Sequence, residues 1–330
     1  MKRLIIMTAA LAFVLCLSFP VQADKIDKRA DEATNIVVGK IKQVKSFYAT
    51  NKWGDNLIMS EVTLKVDKVH KGDQVDEVTF IVEGGTVGDI VLRVSSVPLF
   101  EEGEELILFL KKKNGRFEYI DSHKFGVSGA KAKPSPPSKP PTLPCCKTFA
   151  KWPSPYPVVY YYINPNGGDM LDACVSSEIQ AGAEAWNVAL GIDLLNYSET
   201  PTPFDNVNFD NNIKLDYRNI IFFRNDTDGS TIAVTYIWYT RKGGEIRDFD
   251  MVFYDHWKFF SLLTDCSGEC RATNKDGFYL ETIAAHEFGH AIGLDHNRCT
   301  DSLMYPYASY CDGYLLSVND ETCAQSLYGQ

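Results

Sequence analysis

The sequence predicts an α+β domain over residues 145–330, preceded by a small all-β domain over residues 24–130. Three observations carry this division. Before residue 130 the chain is built of short alternating apolar runs separated by turn residues, the pattern of a small sandwich or barrel. From Lys133 to Pro144 it reads K-P-S-P-P-S-K-P-P-T-L-P, which can build neither helix nor central strand. After that stretch the periodicity changes to strand, helix, strands, helix, and every cysteine of the processed chain falls there.

Taken in order, the first element is a leader. Lys2 and Arg3 precede an apolar run from Leu4 to Phe19, and Val21-Gln22-Ala23 is a small-residue cleavage site before Asp24. This predicts a secretory signal peptide over residues 1–23, with the product secreted or periplasmic. Strands follow around Ile36-Val37-Val38, Val62/Leu64/Val66, Val78/Phe80/Val82, Leu106–Leu110 and Phe117–Ile120. Gly72, Gly84-Gly85, Gly103 and Asn114-Gly115 mark the turns between them, and an OB-like barrel is the expected form. Residues 131–144 are the linker. Beyond it, Pro157–Asn164 reads as a strand, and Ile179, Ala183 and Trp186 place a helix over 170–190. Further strands are expected at Ile220–Phe223, Ile232–Tyr239 and Phe249–Phe253, then helices at Leu280–Gly293 and Asn319–Leu327.

The formal charge is −10, and loss of Lys2 and Arg3 with the leader takes it to −12. An acidic chain of this kind argues against nucleic acid and anionic membrane surfaces as partners. No later segment has eighteen consecutive apolar residues, so no membrane span is expected. Oligomeric state is not legible. Loss of Cys16 with the leader leaves eight cysteines, an even number that suggests disulfides in a secreted protein. Asp205-Asn206, Asp210–Asn212 and Asn225–Gly229 offer hard oxygen ligands on turns. Calcium is an expectation there without assigned ligands, and solvated turns explain the same residues.

The chemistry is concentrated in His286-Glu287-Phe288-Gly289-His290-Ala291-Ile292-Gly293-Leu294-Asp295-His296, which holds three of the six histidines. Residues four apart share a helix face, so His286 and His290 can address one ion. Gly293 permits a left-handed turn that ends the helix and returns His296 as a third ligand. Three protein ligands leave a fourth tetrahedral position for water, the arrangement of a catalytic zinc. Glu287, beside the first ligand, is placed to take a proton from that water. One catalytic zinc is therefore expected, with His286, His290 and His296 as its ligands and Glu287 as general base.

This H-E-x-x-H-x-x-G-x-x-H wording, followed by Met304 within Leu303-Met304-Tyr305-Pro306, resembles the metzincin zinc metalloproteases, and the matrixin branch in particular. The resemblance covers roughly Lys151 to Leu327. It implies a metzincin-like α+β fold, zinc-dependent endopeptidase activity on protein or peptide substrates, and a hydrophobic floor at Met304 beneath the metal. Matrixins typically hold a second, structural zinc with three further histidines. Between residues 145 and 285 this chain has only His256, so that site is expected to be missing. Matrixin zymogens also place a cysteine before the catalytic domain to block the zinc. Cys145 and Cys146 stand there without the usual P-R-C-G wording, and disulfide bonding of both is the alternative. Among the cysteines, Cys299 with Cys311, Cys266 with Cys270, and Cys174 with Cys323 are the expected pairs. The competing functional reading is a non-enzymatic adhesive or inhibitory protein acting through the N-terminal β domain.

Overall fold

The computed structural model describes residues 30–124, 145–166, 170, 172–198, 213–225, 229–261, 277–311, 313 and 316–329. The expected signal peptide, the proline linker, Cys266, Cys270 and the acidic stretches at 205–212 and 226–228 lie outside the described residues.

In chain order the first strands are β1 (Asn35–Thr50), β2 (Asn56–Lys71), β3 (Glu77–Glu83), β4 (Gly85–Val87), β5 (Ile90–Val94), β6 (Glu105–Lys113) and β7 (Arg116–Lys124). Five of them close a barrel in the order β1-β2-β3-β7-β6. The alternating apolar positions face inward: Val62 and Leu64 of β2, Val78 and Phe80 of β3, and Leu106, Leu108 and Leu110 of β6 are all buried. This is the half-buried strand pattern the sequence carries. Gly39 allows two strands to meet closely, since a Cβ there would collide with the carbonyl oxygen of Lys65.

The later strands are β8 (Val159–Ile163), β9 (Leu195–Tyr197), β10 (Asn219–Arg224), β11 (Ala233–Thr240), β12 (Ile246–Tyr254), β13 (Lys258–Phe260) and β14 (Gly277–Tyr279). With them come helices α1 (Asp172–Leu190), α2 (Leu280–Ala291) and α3 (Val318–Tyr328). A seven-stranded sheet runs β4-β5-β11-β12-β10-β8-β9. β10 lies parallel to β8 and β12, whereas β11 runs antiparallel to β12 and to β5. Every residue of β10 is buried, as expected for a strand covered on both faces.

Two cores sandwich this sheet. Because successive strand residues point to opposite faces, Val234, Tyr236 and Trp238 of β11 join Leu57, Ile58, Leu92, Val94 and Phe222 on one side. Ile237 and Phe249 face the other side, against Ile179, Trp186, Phe288 and Met304. There α1 and α2 pack closely enough that a Cβ on Gly182 would strike Ala284 and Ala285. The Trp186 indole donates to the Ala285 carbonyl at 2.7 Å. At the C-terminal end, Ser317 and Asp320 form a reciprocal capping box on α3.

By contact the chain divides into two compact units. Met1–Lys42, Thr63–Phe80 and Glu102–Gly126 form one; Gln43–Val62, Ile81–Glu101 and Val127–Gln330 form the other. This division cuts across the chain-order boundary expected at the linker. The second unit includes β4 and β5, for which the sequence had offered no strand. Within it, Arg224 and Asp55 make a buried ion pair at 2.9 Å, and the Tyr236 hydroxyl donates to Glu83 at 2.8 Å.

The disulfides differ from expectation. Cys145 is bonded to Cys299 and Cys146 to Cys323. The expected Cys299–Cys311 and Cys174–Cys323 pairs are therefore wrong, although Cys174 and Cys311 are themselves disulfide-bonded. The physical reason is a strand-like return of the chain: Thr148 bridges Leu294, and Asp295 N–H donates to the Lys147 carbonyl at 2.8 Å. That pairing brings the residues just after the linker beside the segment following α2, a long-range contact that linear spacing does not show. Among the described residues no helix is long and apolar enough to cross a membrane.

Candidate metal centre

The helix α2 carries His286 and His290 one turn apart, buried along almost its whole length against β11 and α1. It ends at Ala291, and Gly293 follows with φ +99°. Leu294 N–H returns to the Gly289 carbonyl and Gly293 N–H to the His290 carbonyl, both at 2.9 Å, which satisfies the last open acceptors of the helix. Any side chain at Gly293 would be strained by that φ and would also collide with the Ala150 carbonyl oxygen. The reversal brings His296 back over the helix end.

The three imidazoles then converge. The Nε2 atoms of His286, His290 and His296 lie 3.1–3.2 Å from one another. His286 Nδ1 is 2.6 Å from the Leu303 carbonyl and His290 Nδ1 is 2.8 Å from the Leu294 carbonyl. A carbonyl only accepts, so each Nδ1 carries the proton and each Nε2 of the neutral ring presents a lone pair. With His296 Nε2 beside those two lone pairs, the three nitrogens are placed to share one cation. A tetrahedral zinc with bonds of about 2.05 Å would hold its nitrogens about 3.3 Å apart, close to the observed spacing. The donor set therefore fits zinc in number, chemistry and spacing. Among the described residues this is the one group of three histidine, cysteine or carboxylate side chains arranged to hold a metal. His256 is elsewhere, its Nε2 3.0 Å from the Gly229 carbonyl.

Electrostatics agree with that use. Burial holds His290 and His296 well below the ordinary imidazole range, and the neighbouring histidines push in the same direction. Both are thus neutral at physiological pH, as ligands must be.

Glu287 is only 4% exposed. Burial raises its pKa above the ordinary carboxylate range; His286 nearby and hydrogen bonds from Thr235 and Ser95 oppose that shift. The Thr235 hydroxyl donates to Oε2 at 2.6 Å and the Ser95 hydroxyl donates to the same oxygen at 3.2 Å.

Beneath the ring cluster, Met304 is 1% exposed, and a Cβ on Gly289 would strike its sulfur. The turn around Met304 is held from α3. The Asp320 carboxylate accepts from Leu303 N–H at 2.8 Å and from the Ser302 hydroxyl, while the Asn297 amide donates to Ser302 at 2.7 Å. The Leu303 carbonyl in turn accepts from His286, so Asp320 and the first histidine hold the same residue. Such outer partners orient metal ligands.

The structure thus brings His286, Glu287, His290, His296, Gly293 and Met304 together. The sequence reading missed Ser95, Thr235, Asn297 and Asp320 as parts of the site, and with them Arg93, whose guanidinium pairs with Asp295 inside the histidine motif. For Asp320 a signal existed, because Ser317-x-x-Asp320 before a helix is a capping-box pattern. For Ser95 and Thr235 there was none.

A matrixin family model matches residues 151–329. Over 53 residues the chain is 49% identical to matrix metalloproteinase-9 of Canis lupus familiaris, a stretch covering 16% of this chain and 8% of that protein. Over 56 residues it is 48% identical to matrix metalloproteinase-20 of Homo sapiens, covering 16% of this chain and 12% of that protein. The chain spans only a small fraction of the length of these curated relatives.

Proposed function

The chain belongs to the matrixin family, and from that premise we propose that it is a secreted zinc-dependent endopeptidase with His286, His290 and His296 as metal ligands and Glu287 as general base. The observation that carries the reading is the convergence of three Nε2 atoms beside a buried carboxylate. A zinc ion bound there would supply a Lewis acid and an acidified water.

The remaining chemistry belongs to the chain. The Glu287 carboxylate accepts a proton from the attacking water and then delivers it to the leaving amine, and burial, by raising its pKa, favours uptake of that proton. Thr235 orients Oε2 while this happens. His286 and His290 keep their Nδ1 protons on the Leu303 and Leu294 carbonyls, which maintains their Nε2 atoms as donors. Hydrophobic packing of Met304 and Trp186 behind the helix prevents the ligands from retreating.

Along the chain, we read a signal peptide at 1–23, an N-terminal β domain to 130, a linker at 131–144 and the protease from 145. The parallel pairing of β3 with β7 and antiparallel pairing of β6 with β1 support an OB-like barrel in the N-terminal β domain.

Substitution Glu287→Gln tests the function. It retains shape and leaves the ligands intact, so metal analysis should still give about one zinc per chain while cleavage of a casein-type substrate falls by about 10²- to 10⁴-fold. Cleavage near the parental rate removes Glu287 from the mechanism.

A further inference from the structure

The metal helix and its carboxylate lie beside the edge of β11, and that edge is filled by another part of the same chain. β5 pairs antiparallel with β11, Val94 opposite Tyr236 through Ile90 opposite Thr240. The pairing continues one residue further. Ser95 N–H donates to the Thr235 carbonyl and Thr235 N–H donates to the Ser95 hydroxyl, both at 2.9 Å.

The two faces of this strand do different things. Leu92 and Val94 are buried in the core on the side away from α2. Arg93 and Ser95 point the other way. The Arg93 guanidinium donates to Asp295, inside the histidine motif, at 2.5 Å and lies over the Phe149 ring. Ser95 donates to Glu287 Oε2. Thr235 donates to the same atom, so the strand and β11 together hold one oxygen of the carboxylate.

A protein substrate must present a peptide carbonyl beside Glu287. An extended chain does so most economically by adding to the nearest open strand edge, where main-chain hydrogen bonds give affinity in any sequence. Here the nearest edge is β11 at Thr235, and Ile90–Ser95 already lies on it. After Ser95 the chain leaves: Val94 bridges Val97 in a tight turn. The strand therefore reaches the carboxylate and stops.

We propose that Ile90–Ser95 is a built-in pseudosubstrate strand, which occupies the peptide-binding edge of β11 and engages Glu287, so that the intact chain is latent until the strand is displaced. This rests on the endopeptidase reading of the same site. Cys145 and Cys146 are both in disulfides and offer no thiolate to a metal, so the strand is a separate device from a cysteine block. The occupant that replaces the strand is an extended polypeptide running antiparallel to β11.

The test uses the full chain with two separate substitutions. Arg93→Asp sets a negative charge against Asp295 and leaves the buried face untouched. Ser95→Pro removes both the N–H and the hydroxyl. Circular dichroism and zinc content report folding, and if Ser95→Pro does not fold, Arg93→Asp alone decides. Two quantities are read: cleavage of a casein-type substrate, and binding of a fluorescent peptide of residues Gly88–Val97. Folded variants should cleave about tenfold faster than the parent, as loss of a charge-assisted contact predicts, and should bind the peptide when the parent does not. Folded variants that neither gain cleavage nor bind the peptide overturn the proposal, as does a parent that binds the peptide equally well. If the variants bind the peptide but no form cleaves protein, the endopeptidase reading falls and the occupied edge stands.

Discussion

Two stretches of the second unit meet at Glu287, and they are built for opposite purposes. Residues 286–304 carry the three converging histidines, the proposed base Glu287 and the buried Met304. They are locked by a positive-φ glycine packed on Ala150, by the Cys145–Cys299 bond and by the Asp320 and Asn297 hydrogen bonds. Residues 90–95 reach the same carboxylate through an edge ladder, one ion pair and two hydroxyl hydrogen bonds, and no covalent tie anchors them among the described residues. A site that must hold a metal rigidly needs many mutually supporting constraints. A strand that must eventually leave needs contacts that are individually modest. The contrast teaches that proximity to the catalytic group does not by itself mark a residue as machinery; the manner in which it is held does.

The comparison breaks most readily on the rigid side. Gly293→Ala adds a Cβ where φ is +99° and the Ala150 carbonyl oxygen blocks the space. It should cost about 3 kcal/mol or more in chemical unfolding, with loss of zinc because His296 no longer returns. Unfolding at the parental midpoint would show that the turn is more pliant than its packing implies.

Removing the Cys145–Cys299 bond with serine at both positions should cost about 2–5 kcal/mol. The loss should appear first as weaker zinc retention, because the bond ties the residues after His296 to the segment that bridges Leu294 at Thr148. Denaturation followed alongside chelator competition separates the two effects. Equal losses of stability and metal, with no metal-specific component, would reduce the bond to a general staple.

Acid distinguishes the two stretches without mutation. His290 and His296 are held below the ordinary imidazole range in the fold, first by burial. As pH falls below about 6.5 the unfolded chain takes up protons that the folded rings refuse, so their contribution is present above that value and lost on the way down. Glu287 has the opposite sign: its raised pKa favours the fold below its unfolded value near 4.5 and that contribution fades as pH rises. Between pH 7 and 5 zinc affinity should fall, because the ligands must be neutral, and the histidine contribution to metal-free stability should fall with it. Hydrogen exchange should show the β5–β11 ladder still protected over that range. Simultaneous loss of both would make them one cooperative element.

The smallest effect lies at the junction. Thr235→Val leaves Glu287 Oε2 with Ser95 alone and should cost about 1–2 kcal/mol. It should also move the acid limb of the pH–rate profile upward, because a hydrogen bond favouring the carboxylate is gone. A stability change with an unmoved profile would make Thr235 a packing residue.

The sequence carried the three-histidine constellation because its spacing is local. Histidines four apart share a helix face whatever surrounds them, and Gly293 announces a reversal that only glycine adopts easily. The elements of the second half were legible for the same reason: periodicity in Ile179, Ala183 and Trp186 gave a helix, and runs such as Ile220–Phe223 gave buried strands. Strand β5 was not legible. Ile90-Val91-Leu92-Arg93-Val94 is a brief run with one charge, and nothing within it names a partner more than 140 residues away.

What the sequence determined by itself was therefore the family, the metal-binding pattern and the order of elements, all properties set by residues a few positions apart. What only the tertiary structure decided was which cysteines bond, which residues hold Met304 in place, and which strand lies beside Glu287. Each of those depends on long-range pairing, where the backbone hydrogen bonds of one strand accept any other extended segment and side-chain identity selects little. The fold alone brings Ser95 to Glu287, across 192 positions of chain.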